Sequence, residues 1–231
     1  MSKRILVTGA SRGIGLGLVK TFLDKGHTVF AVSRQVEPRE LLNLQKNAGE
    51  RLVLIQAEIT KASDRQRIRE AVLAKTKALD WLVNNAGLYP SQDEDLLKLE
   101  TKNLTEAFLV NTITPIQMTA ELMPLLKKSE QAKVFFVTSL MGSISDNTSG
   151  GSYAYRMSKC ALNMGVKTLS IDFPDIACVL LHPGWVQTDM GGPNAPTSIE
   201  ESVTGLTTLM DRVGPRQTAH FYDYLGESIH W

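Results

Sequence analysis

Short unbroken apolar runs alternate along the chain with longer stretches in which apolar residues recur every three or four positions. The short runs are ILV at 5–7, TVFAV at 28–32, RLVLIQA at 51–57, LDWLVNNAG at 79–87, KVFFVTS at 133–139, ACVLLH at 177–182 and HFYDY at 220–224. A strand with one wet face alternates apolar and polar residues. These runs do not, which predicts strands of a parallel sheet buried on both faces. Helical patterning follows the first run through Lys25, covers about 63–77 with many charges, and spans 99–127, where Pro115 and Pro124 predict kinks or joins. It returns at 152–173 and, after a Gly/Pro-rich start, within 190–205. Strands alternating with helices imply right-handed βαβ crossovers and therefore a doubly wound α/β fold. No linker, repeat or low-complexity tract interrupts residues 1–231, so one domain is expected.

Composition narrows the function. The 231 residues are 43% hydrophobic, enough for one sizeable core. Formal charge is +1, from 25 Lys+Arg against 24 Asp+Glu, with no acidic or basic block. That balance gives no footprint for nucleic acid or a membrane surface, although a few local cations suffice for a small anion. Cys160 and Cys178 stand outside any CxxC or histidine cluster. They are expected as buried thiols, and no metal site is expected. The opening MSKRILVTGAS has too short an apolar run for a signal peptide. No run approaches the roughly 20 apolar residues of a membrane helix. A cytoplasmic, reducing setting is the expectation.

The first strand runs into TGASRGIG at 8–15, with Gly9, Gly13 and Gly15 spaced GxxxGxG. Glycine permits tight or left-handed backbone and close approach of a ligand. The helix that follows offers unpaired N–H groups to a pyrophosphate. The residue after the second strand usually selects the cofactor: an acid favours a free 2′-hydroxyl, arginine a 2′-phosphate. Here Ser33 and Arg34 end that strand, with no acid, and Arg12 lies inside the glycine loop. Two guanidiniums that could converge on one phosphate favour NADP(H) over NAD(H).

Further motifs fall in a fixed order: NNAG at 84–87, Asn111 in the long helix, VTS at 137–139, YRMSK at 155–159 and PGWVQTDM at 183–190. With the glycine loop, this set resembles the short-chain dehydrogenase/reductase superfamily over nearly the whole chain. NTITPIQMTAELMPLLKK at 111–128, DNTSGGSYAYRMSKCALNM at 146–164 and GWVQTDMGG at 184–192 are similar to a carbonyl-reductase branch typified by sniffer and C-factor proteins. The resemblance implies a Rossmann-type sheet of about seven parallel strands in the order 3-2-1-4-5-6-7, with helices on both faces. It implies a nicotinamide site built from Gly9, Ser11, Arg12, Gly13, Ile14, Gly15, Ser33, Arg34, Glu58, Ile59, Asn85, Ala86, Gly87, Tyr155, Lys159, Pro183, Gly184, Val186 and Thr188. In many relatives an Asp stands where Glu58 does, near the adenine, and Glu58 is longer by one methylene. It also implies a homodimer or homotetramer paired through the helices at 99–127 and 152–173.

YAYRMSK at 153–159 offers two tyrosines and two cations. A helix turns about 100° per residue, so Tyr155 and Lys159 share a face while Tyr153 and Lys159 do not. Tyr153 and Arg156 could also meet, but a guanidinium spreads its fixed charge where an ammonium is compact. A free tyrosine titrates near about 10, and a neighbouring ammonium is expected to lower that value. The resemblance selects Tyr155 as general acid/base and Lys159 as its tuning partner, which also binds the nicotinamide ribose. It makes Ser139 the group that polarises the carbonyl and Asn111 the anchor of a proton-relay water. Thr188 would bond the carboxamide, and Asn84 would brace the turn beside the cofactor. Tyr153 is expected at the pocket rim or in packing, Arg156 toward solvent or a partner. The interval from Ser139 to Tyr155 is longer than many members of that family use, so Ser143 and Ser145 are rivals for the serine role. The polar loop at 143–152 is expected as a mobile wall of the substrate pocket. Met141, Trp185 and Met190 are candidate apolar walls, and 190–205 is expected to cover the substrate.

The function this implies is NADPH-dependent reduction of an aldehyde or ketone. Alcohol oxidation, or a cofactor-binding signalling protein that retains the fold, are the alternatives.

Overall fold

The computed structural model describes residues 2–36, 38–91 and 95–231. Seven strands form one sheet, β1 Arg4–Thr8, β2 Thr28–Ser33, β3 Leu52–Gln56, β4 Trp81–Asn84, β5 Lys133–Val137, β6 Ala177–His182 and β7 Phe221–Asp223. Every neighbouring pair is parallel, in the order β3-β2-β1-β4-β5-β6-β7. The helices are α1 Gly13–Asp24, α2 Arg39–Ala48, α3 Ala62–Lys75, α4 Thr101–Phe108, α5 Thr114–Leu126, α6 Tyr153–Asp172 and α7 Ile199–Arg212.

The unbroken apolar strands have the predicted cause. Leu6, Phe30, Leu82, Val134, Phe136 and Leu180 point to one face, where α3, α5 and α6 cover them with Ile68, Leu122 and Val166. The alternate residues Ile5, Val7, Val29, Trp81, Phe135 and Val179 point to the other, beneath α1 and α7 with Leu18, Phe22, Val203 and Leu206. Both faces are dry over the five central strands, so both parities of those strands are apolar, while the edge strands β3 and β7 are partly exposed. At the amino ends, Arg4 grips Asp80 through two guanidinium bonds of 2.8 Å and a main-chain N–H bond of 2.7 Å. That fork ties β1 to β4 on the side away from the cleft.

Three details depart from the pattern. Helix α2 was not among the predicted elements, and it fully buries only Leu41. The long helical stretch is divided: α4 and α5 are joined by a π-helical turn, Leu109–Ile113, centred on buried Asn111. Pro115 explains the break, because it lacks the N–H that an α-helix would offer to the Asn111 carbonyl. Pro124 sits inside α5 without ending it. The helical part of 190–205 is the start of α7, whose Val203 and Ile199 pack on Gly17 of α1. Val203 belongs to the core, while Ile199, with Met190, Gly192 and Pro193 of the preceding loop, lines the crevice. Cys178 is buried, Cys160 half-buried, and both are free thiols. Among the described residues no helix is long and apolar enough to cross a membrane, and no cluster of metal-ligating side chains forms.

Candidate active site

Strand order reverses at β1, which lies between β2 and β4. Diverging loops at such a switch point open a crevice at the carboxyl ends of the strands. Here the crevice holds about 860 Å³. Gly9, Ser11, Arg12, Gly13, Ile14 and Gly15 line it at the β1–α1 turn. Ser33 at the end of β2 and Arg34 after it, with Glu58 and Ile59 after β3, line one end. Asn85, Ala86 and Gly87 after β4, Tyr155 and Lys159 of α6, and Pro183 and Thr188 after β6 line the remainder. Two further expected cofactor residues follow β6. Gly184 packs beneath Tyr224, and Val186 is buried and bridged to Thr197.

The turn fits a pyrophosphate. Gly9 has φ 66, and a Cβ there would lie 3.0 Å from Ala86 Cα. A Cβ at Gly15 would lie 2.2 Å from the Gly9 carbonyl oxygen, and one at Gly13 would meet Thr188 Cγ2 at 3.3 Å. Arg12 precedes α1 without a side-chain cap, so no side chain of the cap residue takes the helix's first N–H groups. The two arginines do not converge. Arg12 Nη1 reaches Asp189 Oδ2 at 2.6 Å, across the mouth of the crevice, while Arg34 Nη1 lies 3.7 Å from Glu58 Oε2. Each faces a carboxylate on a different loop. Glu58 is further held by Thr60, whose hydroxyl donates to it at 3.1 Å.

The turn after β4 is braced by Asn85, not by Asn84. Asn85 Nδ2 donates to the Thr8 and Gly9 carbonyls at 2.9 and 3.3 Å. The Thr8 hydroxyl accepts from the N–H groups of Asn85 and Ala86. Asn84 turns the opposite way and donates to Thr119 of α5. Successive strand residues point to opposite faces, so adjacent asparagines at a strand end serve different layers.

Tyr155 and Lys159 lie one turn apart on α6, with Lys159 Nζ 5.7 Å from the centre of the tyrosine ring. Both are buried. Burial pushes the Tyr155 hydroxyl up to about 12, opposed in part by its hydrogen bond with Ser139. Burial lowers the Lys159 ammonium to about 8. The expected lowering of the tyrosine by the lysine is therefore not expressed in this geometry. Desolvation disfavours both charged forms, and Lys159 Nζ donates to the Val137 carbonyl at 2.9 Å.

Ser139, directly after β5, is the serine hydrogen-bonded to Tyr155. The Ser143 hydroxyl donates instead to the His230 carbonyl at 2.6 Å, and the Ser145 N–H to the Trp231 carbonyl. The chain end thus ties down the start of the 143–152 loop. Arg156 ties down its other end, donating to Ser149 Oγ and the Gly150 carbonyl. The loop expected to be mobile is tethered at both ends, and Arg156 has a structural task. Asn111 stands behind Lys159: a Cβ on Gly87 would lie 3.5 Å from both Asn111 Oδ1 and Lys159 Nζ. Its amide binds the Leu88 N–H and carbonyl, each at 2.8 Å, and Ser158 Oγ at 3.0 Å. Of the candidate walls, Met190 lines the crevice, while exposed Trp185 folds its indole N–H onto the Gly191 carbonyl. Tyr153 is half-buried in the first turn of α6. Tyr89 was not anticipated. Its ring stacks on Tyr155 with centroids 4.2 Å apart.

Comparison with known proteins identifies the family. The short chain dehydrogenase family model matches residues 3–198. C-signal of Myxococcus xanthus is 42% identical over 158 residues, covering 68% of this chain and 95% of that protein. The carbonyl reductase Sniffer of D. melanogaster superposes with a TM-score of 0.95 at 34% identity, over 100% of both chains. The NADPH-bound carbonyl reductase from chicken fatty liver gives 0.91 at 32% identity, over 100% of this chain and 99% of that one. The chain belongs to the short chain dehydrogenase family of oxidoreductases, with carbonyl reductases among its structural neighbours.

Proposed function

We propose that this protein is an NADPH-dependent carbonyl reductase that converts an aldehyde or ketone to the alcohol. The carrying observation is the buried Ser139–Tyr155–Lys159 cluster at a crevice whose glycine turn fits a dinucleotide. The bound nicotinamide supplies the hydride. Tyr155 donates its proton to the carbonyl oxygen, and Ser139 holds that oxygen by a hydrogen bond. Protonated tyrosine is the form needed for reduction, and burial favours it. Lys159 offsets the negative charge that develops on the tyrosine oxygen, and Asn111 anchors the water that relays protons to it.

NADP(H) rather than NAD(H) is supported by Arg34 at the end of β2 and by the NADPH-bound neighbour. Arg34→Asp is expected to lower the NADPH/NADH ratio of kcat/KM by roughly tenfold or more, since it removes a charge-assisted phosphate contact and places an acid near Glu58. Steady-state kinetics with both cofactors measures it, and an unchanged ratio removes the assignment.

A homo-oligomer paired through α4–α5 and α6 belongs to the same proposal. Met157, Met164 and Ile171 recur every seven residues on α6 and are exposed, as are Leu109 and Ile113. Light scattering is expected to give a dimer or tetramer mass, and a monomer would end this part.

The reading is tested with a panel of aldehydes and ketones plus NADPH, following nicotinamide absorbance in wild type and Tyr155→Phe. Tyrosine-dependent turnover supports it. Equal turnover by both proteins, or NADPH binding without turnover of any carbonyl, removes it.

A further inference from the structure

Tyr89 follows the turn after β4, outside every motif that marks the site. Its ring lies on the ring of Tyr155, centroids 4.2 Å apart and planes inclined at 19°. Two anchors hold it there. On the main-chain side, the Asn111 amide clamps both polar groups of Leu88, the preceding residue. At the far end of the ring, the Tyr89 hydroxyl hydrogen-bonds Ser152 Oγ at 2.6 Å. Ser152 immediately precedes α6, in a left-handed conformation with φ 51. That backbone is uncommon for a residue other than glycine. The Ser152 side chain makes no capping bond to the helix it precedes, and its hydroxyl serves Tyr89 instead.

We propose that Tyr89 is a positioning residue for carbonyl reduction: its stacked ring and its hydroxyl clip to Ser152 hold the Tyr155 ring in the orientation that aims its hydroxyl at Ser139. The inference rests on the proposed reaction. Proton transfer requires the acid within hydrogen-bond reach of the carbonyl oxygen, and a small misplacement lowers the rate steeply. The Asn111 amide, the Leu88 backbone, the Tyr89 ring and Ser152 form one frame running from the π-helical turn to the start of α6. Tyr155 is carried inside that frame. The Tyr89 hydroxyl is committed to Ser152, so the two stacked tyrosines do not share one task.

Three variants separate positioning from packing. Tyr89→Phe keeps the stack and loses the clip. Ser152→Gly loses the clip from the other side and accepts φ 51 without strain. Tyr89→Leu loses the stack. Tyr89→Leu is expected to lower kcat by about 10- to 100-fold with KM for NADPH little changed. Tyr89→Phe and Ser152→Gly should each cost about threefold, and together no more than either alone, because they break one bond. The second readout needs no turnover: ring flipping of Tyr155 in ¹³C-tyrosine-labelled protein, assigned with Tyr155→Phe. Flipping should be slow in wild type and markedly faster in Tyr89→Leu. Wild-type kcat and wild-type flipping in Tyr89→Leu overturn the inference, as does a fall in Tm with kcat per folded molecule unchanged. If wild type reduces no carbonyl, the reaction itself has failed, and the flip rates alone decide whether Tyr89 orders Tyr155.

Discussion

Tyr155→Phe is expected to lower kcat for carbonyl reduction by about 10²- to 10⁴-fold, the usual contribution of a placed general acid. Phenylalanine keeps the ring, so the stack on Tyr89 and the burial of the site survive. What disappears is the hydroxyl proton that Tyr155 presents to Ser139. Cofactor affinity should change by no more than a few-fold, which makes the loss one of chemistry rather than of folding. Tyr153→Phe is the internal control: its ring shares no face with Lys159, and kcat should stay within about twofold of wild type. The pH dependence follows from the two buried groups. Tyr155, pushed up to about 12, stays protonated throughout the accessible range and is always ready to donate. Lys159, lowered to about 8, loses its charge as pH rises through that value. An uncharged amine no longer offsets the developing phenolate, so kcat/KM for reduction should fall above pH about 8. A profile flat to pH 10 would remove Lys159 from this role, and equal kcat in Tyr155→Phe would remove the tyrosine.

The sheet was legible because its central strands are dry on both faces. Ile5 and Leu6 are neighbours that enter different cores, and both must be apolar. Helix α2 was absent from the expected elements although its pattern is present: Leu41, Leu44 and Ala48 recur on the one face that packs on the core. Pro115 announced a break in the long helix, because a missing N–H is a local fact written in one residue. The site divides along the same line. Tyr155 and Lys159 could be paired by helical spacing. Ser139 could not be separated from Ser143 and Ser145 by spacing, since the separation is made by His230 and Trp231 at the other end of the chain. Asn84 and Asn85 look alike in sequence and serve opposite layers. Asp189 and Glu58, which face the two arginines, arrive from separate loops. Tyr89 has no pattern at all. It matters only because folding lays its ring on Tyr155.

Gly15→Ala should be the most damaging small change in the cofactor site. Gly15 lies in the first turn of α1, where alanine is ordinarily the better helix former by about 1 kcal/mol. The added methyl would stand 2.2 Å from the Gly9 carbonyl oxygen and 2.6 Å from Asn85 Nδ2. Neither neighbour can yield cheaply. The oxygen is backbone, and the amide is fixed by its bonds to the Thr8 and Gly9 carbonyls. Either α1 moves away from β1, or the Gly9 peptide rotates and the brace from Asn85 is lost. Overpacking of this kind costs about 1–3 kcal/mol, and the lost brace adds to it, so the propensity gain is outweighed. A net loss of about 2 kcal/mol would lower Tm by roughly 4–8 °C in a chain of this size. Both escapes displace the N–H groups that would meet a pyrophosphate, so Kd for NADPH should rise at least about tenfold. Gly26→Ala separates the two effects. At φ 80 with nothing within 4 Å of a new Cβ, it suffers backbone strain alone, and far from the crevice. It should lower Tm and leave Kd for NADPH unchanged. Melting curves and NADPH fluorescence titration of both variants decide the matter: equal Kd values would mean that the close approach of Gly9 and Gly15 serves packing and not the cofactor.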